Sequence, residues 1–388
     1  MLAFSFQGPD DINAEPSGNP PLLTLIAGYV PFLRTGTLIQ AISEMLRIRS
    51  LAMASAKTHP AIGVCEDPCC YIVGPPRAGT TMLRLMLNRH PEFHVPPETW
   101  FFPFLMWRAA SYGDLSTAAQ IERFANDVAR SPAESVRPVS EVFSITAEEI
   151  TAALVEARVT CYAQAFSAVM SYLARREGKR RWGEKTPFYS AFLQVLGRSY
   201  PQARFLVLVR DPRDVAFSIH QTSWGRKQYP TLADAGMRWR YGMTGVEQVE
   251  SELGPQRLLM LRYEDLVDEP ERRVREICDF LEIIFDAAML HFHEQASDHV
   301  PPGAREWHQS LSQPISRSRI GRWRPSYSPE ETGLIELTCR RQMRRWGYRR
   351  EGRSLTVRNL VRIAAWHLER RRKGRAHWTW LLTPRLDA

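Results

Sequence analysis

A glycine-rich stretch at residues 74–81 has the residue types and the spacing of a phosphate-binding loop. Its two glycines fit the spacing found in nucleotide triphosphatases, but Thr80 stands where those proteins place a lysine. The stretch follows an apolar run and precedes a helical pattern, so it joins a strand to a helix N-terminus. Free backbone N–H groups and the helix dipole favour a dianionic group there. We expect this group to contact the loop residues Pro76, Arg77, Ala78, Gly79, Thr80 and Thr81.

A second anion site is predicted where another apolar run ends, at residues 204–210. The β-branched and apolar residues of this run are typical of a buried parallel strand. Pro212 then opens a helix at a position where proline is tolerated. Arg210 at the strand end and Ser218 on the helix are expected to reach one phosphate at the carboxyl edge of the sheet. Two such sites on neighbouring strands favour a ligand with two separated anionic groups.

These segments resemble the sulfotransferases whose donor is 3′-phosphoadenosine 5′-phosphosulfate. Residues 76–81 are similar to that family's 5′-phosphosulfate loop, and residues 209–218 are similar to its 3′-phosphate motif. Residues 261–266 resemble its Tyr-Glu-Asp segment. Residues 320–331 resemble the segment that closes over the nucleotide. The four motifs occur in the family's order and span most of the chain.

The resemblance implies an α/β fold of three layers around a central parallel sheet, like that of P-loop triphosphatases, over residues 67–350. It implies 3′-phosphoadenosine 5′-phosphosulfate as the co-substrate, and no required metal. It also implies that Tyr263 lies near the adenine and that Arg322 and Trp323 contact the nucleotide. Tyr263 as a core residue and Trp323 as a packing residue remain alternatives.

The same resemblance provides the candidate catalytic groups. Glu98 follows the phosphate loop at the place where tyrosylprotein and many bacterial sulfotransferases have a general base. Lys185 matches a family lysine that contacts the transferred group, so we expect Lys185 and Arg77 to stabilise charge on the bridging oxygen. The implied reaction is in-line transfer of a sulfuryl group to a hydroxyl acceptor. A structural carboxylate beside Trp100 is the alternative for Glu98, and Glu184 is interpreted as an ion-pair partner.

Two other functions compete with this interpretation. A degenerate P-loop kinase would need the absent lysine and an acidic magnesium ligand at a strand end, whereas the strand before Arg210 ends in arginine. A protein that only binds an adenosine bisphosphate would need neither Glu98 nor Lys185. The acceptor stays open among small molecules, glycans, lipids and tyrosyl groups, as does the oligomeric state.

The net charge of +9 over 388 residues is unevenly distributed. Residues 340–375 contain 14 Lys/Arg and 2 Asp/Glu, a net +12, which leaves −3 for the rest of the chain. Nucleic-acid binding by the domain is therefore not expected. Residues 351–388 are predicted to form a basic amphipathic tail. This tail either docks on the domain or makes peripheral contact with anionic lipid.

The remaining segments predict organisation and location. Residues 1–20 are polar and expected to be disordered, and residues 21–66 are expected to form an N-terminal helical segment. The six cysteines are interpreted as free thiols. Without a secretory signal or a disulfide framework, the chain is predicted to be cytoplasmic, or peripheral at the inner membrane face.

A helical insert is predicted between the two anion motifs, where we expect acceptor specificity. Residues 116–129 have the pattern of one helix. Thr146 and Glu149 have the spacing of a capping box. We expect them to open a single long helix that ends near Arg176.

Overall fold

The computed structural model of the protein describes residues 62–106, 108–133, 137–296 and 309–352. The predicted disordered N-terminus lies outside the described residues. So do most of the predicted N-terminal helical segment and all of the basic tail beyond residue 352.

Five parallel strands form one sheet in the order β2-β3-β1-β4-β5 within the described part of the chain. The strands are β1 Cys70–Val73, β2 Phe93–His94, β3 Arg181–Lys185, β4 Arg204–Val209 and β5 Leu258–Arg262. Because β1 lies between β3 and β4, the carboxyl ends of these three strands meet at one edge. That edge is where the sequence places its candidate site.

Helices connect the strands and cover both faces of the sheet. They are α1 Thr80–Arg89, α2 Phe101–Met106, α3 Ala109–Tyr112, α4 Ala118–Arg130, α5 Val139–Val142, α6 Ala147–Glu156, α7 Tyr162–Arg176, α8 Leu193–Ser199, α9 Pro212–His220, α10 Ser223–Gln228, α11 Leu232–Arg257, α12 Tyr263–Asp268, α13 Pro270–Leu281, α14 Pro329–Thr338 and α15 Arg340–Arg345. Short 3₁₀ turns include Pro187–Ala191 and Arg317–Arg319. In the described ranges, no helix has both the length and the apolar character needed to cross a bilayer.

Two cores lie on opposite faces of the sheet, because successive side chains of a strand point to opposite sides. In β4, Phe205 and Val207 enter one core together with residues of α7 and α11. Leu206 and Leu208 enter the other core together with residues of α1 and α13. The predicted arrangement of three layers around a parallel sheet is confirmed.

The insert between β2 and β3 is helical, as predicted, but the expected long helix is in fact two helices. The capping box of Thr146 and Glu149 opens α6, which ends at Glu156. Arg158 then adopts a left-handed conformation with φ of 51°, which ends the helix. The next helix, α7, begins only at Tyr162. The prediction was wrong because the residue in the left-handed conformation is an arginine, and not the glycine or asparagine that usually marks such a helix end.

The cysteine prediction is confirmed, since all six cysteines are free thiols. Five of them are buried, and Cys161 is partly exposed. Burial raises the pKa of the Cys65 thiol to about 11. The cysteines next to β1 therefore act as small core residues.

Candidate active site

The phosphate loop after β1 packs closely against two neighbouring elements. Gly74 has a φ of 146°, and a Cβ atom there would lie 2.4 Å from the carbonyl oxygen of Leu208 in β4. Gly79 has a φ of 101°, and its Cβ atom would lie 2.6 Å from the ring of Tyr263. Both positions need glycine, because the backbone conformation and the space exclude a side chain. The loop is therefore fixed against β4 and the first residue of α12.

The loop ends at the open N-terminus of α1, as the sequence predicts. Gly79 is the N-cap, no side chain caps the helix, and its first turn contains no acidic residue. The first N–H groups of a helix have no carbonyl four residues earlier to accept from them, and they carry the positive end of the dipole. Thr80 is buried and Thr81 is partly exposed at this end, while Pro76 and Ala78 are buried within the loop. This end of α1 can hold an anion.

The side chains of the two predicted anion motifs meet in one site. Arg77 Nε donates to Ser218 Oγ over 3.1 Å. Arg210 Nη1 donates to the carbonyl oxygen of Arg77, also over 3.1 Å. The guanidinium of Arg210 lies 4.6 Å from the ring centre of Tyr263. The pairing of β1 with β4 brings these residues together, since each motif begins where one of the two strands ends.

Buried positive charge accumulates at this point. Burial, with the nearby Arg210 and Arg319 guanidinium groups, lowers the pKa of Arg77 to about 10. Arg210 is itself buried, and its Nε has no hydrogen-bond partner among the described residues. Crowded cations and an unpaired buried donor are unfavourable unless an anion compensates them. The residues present therefore fit a ligand that carries phosphate groups.

The start of residues 320–331, which resemble the segment that closes over the nucleotide in the family, is hydrogen-bonded to the second anion motif. Asp214, on α9, accepts hydrogen bonds from the backbone N–H of Gly321 over 2.7 Å and from that of Trp323 over 3.3 Å. Arg210 Nη2 donates to the carbonyl oxygen of Arg319. We refer to residues 317–323 as the closing segment. Sequence reasoning missed Arg319, although the arginines at 317 and 319 immediately before the Ile-Gly-Arg-Trp run were a signal for it.

The two predicted nucleotide contacts in the closing segment have different surroundings. The guanidinium of Arg322 lies 5.2 Å from the ring centre of Phe217, one residue before Ser218 on α9. Trp323 is buried, and the guanidinium of Arg213 lies 4.2 Å from its ring centre. Trp323 thus packs inside the fold, as its alternative interpretation expects, whereas the Arg322 side chain packs against α9, the helix that carries Ser218.

The candidate base and the candidate lysine contact each other. Lys185 Nζ lies 2.7 Å from Glu98 Oε1. Lys185 is the last residue of β3, and it pairs in register with Ile72 of β1 two residues before the phosphate loop. Glu98 also acts electrostatically on Arg77. The adjacency of β3 and β1 therefore brings Glu98, Lys185 and Arg77 to the same edge of the sheet.

Glu184 is fully buried and does not form the ion pair that the sequence predicts. Its Oε1 accepts hydrogen bonds from the hydroxyl of Thr99 over 3.0 Å and from the hydroxyl of Thr186. In the described part of the chain, no basic side chain lies within ion-pair distance of it, and Lys185 pairs with Glu98 instead. Burial raises the pKa of the Glu184 carboxyl to about 7, although the two hydroxyls and the Lys185 ammonium act in the opposite direction.

These elements define an α/β protein whose helix end and guanidinium groups can hold an anionic ligand beside a carboxylate–lysine pair, and whose phosphate loop has threonine in place of the triphosphatase lysine. The sequence profile of the sulfotransferase family matches residues 68–287, more than half of the chain. The chain belongs to the sulfotransferase family, and it is therefore a transferase. The matched range contains both anion motifs, the first of which is the phosphate loop, and it also contains Glu98 and Lys185.

Curated relatives are identical to the chain at about a quarter of the aligned positions. It is 24% identical over 266 residues to a putative protein-tyrosine sulfotransferase of Caenorhabditis briggsae, covering 67% of this chain and 82% of that protein. It is 27% identical over 232 residues to protein-tyrosine sulfotransferase 2 of Gallus gallus, covering 59% of this chain and 55% of that protein. It is 27% identical over 227 residues to the nodulation protein NoeE of Sinorhizobium fredii, covering 54% and 48%. The chain thus spans about half the length of two of these three relatives.

Solved structures share the fold. The sulfotransferase domain of the Synechococcus PCC 7002 olefin synthase superposes with a TM-score of 0.52 at 26% identity, covering 74% of this chain and 96% of that domain. The sulfotransferase domain of the curacin biosynthetic pathway superposes with a TM-score of 0.51 at 20% identity, covering 74% and 100%. The predicted fold class agrees with both comparisons.

Proposed function

We propose that the protein transfers a sulfuryl group from 3′-phosphoadenosine 5′-phosphosulfate to a hydroxyl acceptor, with Glu98 as the general base. Arg77 and Lys185 stabilise the charge that develops on the bridging oxygen. The observation that carries this proposal is the 2.7 Å contact of Lys185 with Glu98 at the sheet edge that also holds the crowded guanidinium groups. Binding of the nucleotide alone does not require a carboxylate and a lysine in contact, such as Glu98 and Lys185.

Different residues of the chain bind the 5′ end and the 3′-phosphate of the co-substrate. The N-terminus of α1, with Thr80 and Thr81, holds the 5′ end, because it offers unpaired backbone donors. Arg210 and Ser218 hold the 3′-phosphate, and the buried Arg210 Nε supplies a donor that has no partner within the described ranges of the chain. Tyr263, against which Gly79 packs, lines the adenine side. When bound, the donor supplies the sulfuryl group and a phosphate leaving group.

The reaction needs a base that takes the proton of the acceptor hydroxyl and cations that stabilise the charge developing on the bridging oxygen. Glu98 is partly exposed, so an acceptor hydroxyl can reach it and give up its proton there. Lys185 is buried beside it and holds its ammonium against the carboxylate. Arg77 and Lys185 are positioned groups, and such groups stabilise developing charge without reorganising.

Tyrosyl peptides are the first acceptors to test, because two of the relatives described above are named protein-tyrosine sulfotransferases. Small-molecule, glycan and lipid hydroxyls form the rest of the screen. For location, we propose a cytoplasmic enzyme with peripheral membrane contact through the basic tail.

Calorimetric titration with adenosine 3′,5′-bisphosphate tests the donor site. We expect binding without added metal, and Arg210→Ala should weaken it by about 10- to 100-fold, since a charge-assisted contact contributes about 1.5–3 kcal/mol. Arg180→Ala is the matched control, because Arg180 precedes β3 at the opposite edge of the sheet and pairs with Glu92. Transfer to a tyrosyl peptide tests the reaction itself.

Binding of ATP with magnesium but not of the bisphosphate would overturn the proposed donor. Tight bisphosphate binding without turnover on any acceptor class would instead favour the non-catalytic alternative.

A further inference from the structure

The contact between Glu98 and Lys185 depends on two chain segments that are far apart in sequence. Glu98 lies in the turn after β2, whereas Lys185 ends β3. The pair is useful only if these segments keep a fixed separation, because a displacement of about 1 Å can cost on the order of 100-fold in rate. The two segments must therefore be fixed to each other by a group that contacts both.

A single buried carboxylate oxygen joins the residues next to the pair. Thr99 follows Glu98, and both its backbone N–H and its hydroxyl donate to Glu184 Oε1, over 3.4 and 3.0 Å. Thr186 follows Lys185, and its hydroxyl donates to the same oxygen. The N–H of Thr99 also donates to Thr186 Oγ1 over 3.2 Å. Glu184, Thr99 and Thr186 are all fully or almost fully buried.

The charge state of Glu184 depends on the titratable groups and hydrogen-bond donors around its carboxylate. Tyr71, which pairs with it in register on β1, and Tyr189 of the following 3₁₀ turn are the other titratable side chains beside it, and both are buried. Lys185 and Glu98 act on it with opposite signs. Its second oxygen, Oε2, has no hydrogen-bond partner among the described residues. Oε2 is therefore where a proton is taken up.

We propose that Glu184 is a positioning residue that sets the geometry of Glu98 and Lys185 through Thr99 and Thr186. This inference rests on the proposed roles of Glu98 and Lys185 in sulfuryl transfer. Glu184 does not touch the reacting atoms. Its carboxylate holds the two chain segments together most strongly when it is ionised, because a charged acceptor makes stronger hydrogen bonds than a neutral one.

The ionisation of Glu184 falls within the pH range of an ordinary assay. Since its pKa is about 7, the carboxylate predominates above that value and the neutral acid below it. The positioning effect on kcat should therefore be lost as the pH falls through about 7. A purely structural carboxyl group would not impose this pH dependence on kcat.

The test compares kcat of the wild-type enzyme, Glu184→Gln and Glu184→Ala across this pH range. The glutamine variant keeps an oxygen that can accept the three hydrogen bonds but cannot ionise. The ratio of wild-type kcat to that of Glu184→Gln should rise from about 1 in acid to about tenfold in base. Glu184→Ala removes the shared acceptor of three hydrogen bonds and should lower kcat by about 100-fold in base, with the affinity for the bisphosphate unchanged.

Tyr200→Phe is the matched control, because it removes another fully buried hydrogen bond, from the Tyr200 hydroxyl to the Ala163 carbonyl over 2.8 Å. It should lower the melting temperature without changing the pH profile of kcat. If Glu184→Ala does not fold, the pH dependence of the ratio of wild-type kcat to Glu184→Gln kcat tests the inference by itself.

A ratio that stays constant with pH would overturn the inference, provided that the wild-type enzyme binds the bisphosphate and turns over. The proposed function would survive that result. Absence of both binding and turnover in the wild-type enzyme would overturn the proposed function together with this inference.

Discussion

Lys185 has a side-chain exposure of only 2%, whereas its partner Glu98 retains 20%. A buried ammonium is stabilised by the carboxylate beside it and loses that partner when the carboxylate is removed. At the scale of single residues, this asymmetry matters for interpreting mutants. A change at Glu98 affects both the base and the environment of the lysine, whereas a change at Lys185 leaves a carboxylate that water can reach.

The first prediction concerns these two residues. Glu98→Gln should lower kcat by about 10²- to 10⁴-fold, since it removes a general base. Lys185→Ala should lower kcat by about 10²- to 10³-fold, since it removes charge stabilisation. Bisphosphate affinity, measured by calorimetry, should largely survive both changes.

Lys179→Ala is the control for this prediction, because Lys179 donates to the His90 carbonyl before β3 begins and lies outside the site. Single-turnover kinetics provide the readout. Normal turnover in Glu98→Gln or Lys185→Ala would remove that residue from the mechanism.

The second prediction concerns stability and Glu184. Its pKa is about 7 in the folded protein, against 4.5 ordinarily, so the folded state binds its proton more tightly than the unfolded state. This group therefore favours folding below about pH 4.5, and its contribution is lost as the pH rises to about 7. The loss amounts to about 3 kcal/mol, since one pKa unit is about 1.4 kcal/mol.

Denaturant unfolding at acid and alkaline pH measures this effect. The wild-type enzyme should lose more free energy of unfolding between the two conditions than Glu184→Gln does. An identical pH dependence in the two proteins would contradict the assigned titration.

At the scale of elements, the phosphate loop is held by contacts that a methyl group would break. The third prediction is that Gly79→Ala weakens bisphosphate binding at least tenfold, because its Cβ atom would lie 2.6 Å from the Tyr263 ring. Gly113→Ala is the control, since Gly113 also has a positive φ, of 61°, but no atom within 4 Å of a Cβ atom. Bisphosphate binding by Gly79→Ala that is as tight as binding by Gly113→Ala would contradict the prediction.

Helices and strands were predictable from the sequence where neighbouring residues alone specify their type and their ends. The apolar run of β4, the proline that opens α9 and the capping box of α6 each specify their element through nearest neighbours. The break at Arg158 was not predictable in this way. Local hydrogen bonds from the Arg158 N–H to the Val155 carbonyl and from the Val159 N–H to the Leu154 carbonyl end α6, but arginine does not mark a left-handed position in the sequence as glycine or asparagine would.

The candidate site was predictable as a set of motifs, but its internal contacts were not. Residue types and order pointed to Arg77, Arg210 and Ser218, and strand adjacency brought the three together. The surroundings of Glu184 escaped prediction, because the donors from Thr99 come from a segment more than 80 residues away. Sequence spacing alone does not encode such a contact.

At the scale of the whole molecule, the last described residues, up to Gly352, pack close to the second anion motif. The Tyr348 hydroxyl donates to Glu264 over 2.8 Å, and Glu264 in turn accepts from the backbone N–H of Asp211 over 3.0 Å. The Gly352 N–H donates to Glu336. The segment that precedes the basic tail is thus part of the domain, so a truncation must begin after it.

The fourth prediction concerns that tail, which lies outside the described residues. Removal of residues 355–388 should abolish pelleting with anionic liposomes while sulfuryl transfer continues, because lysine and arginine with tryptophan favour an anionic interface. Liposomes of neutral lipid are the control. Unchanged pelleting of the truncated protein would rule out the lipid anchor.

The attachment of the closing segment to Asp214 and Arg210 has a consequence for the time course of catalysis. In the proposed function, the second anion motif would bind the nucleotide and also holds the closing segment, so we expect the spent nucleotide to leave only after those hydrogen bonds break. Opening of such segments often limits turnover in enzymes. A rapid-mixing experiment should therefore show a burst of sulfated product equal to the enzyme concentration, followed by a slower steady rate that reports nucleotide escape.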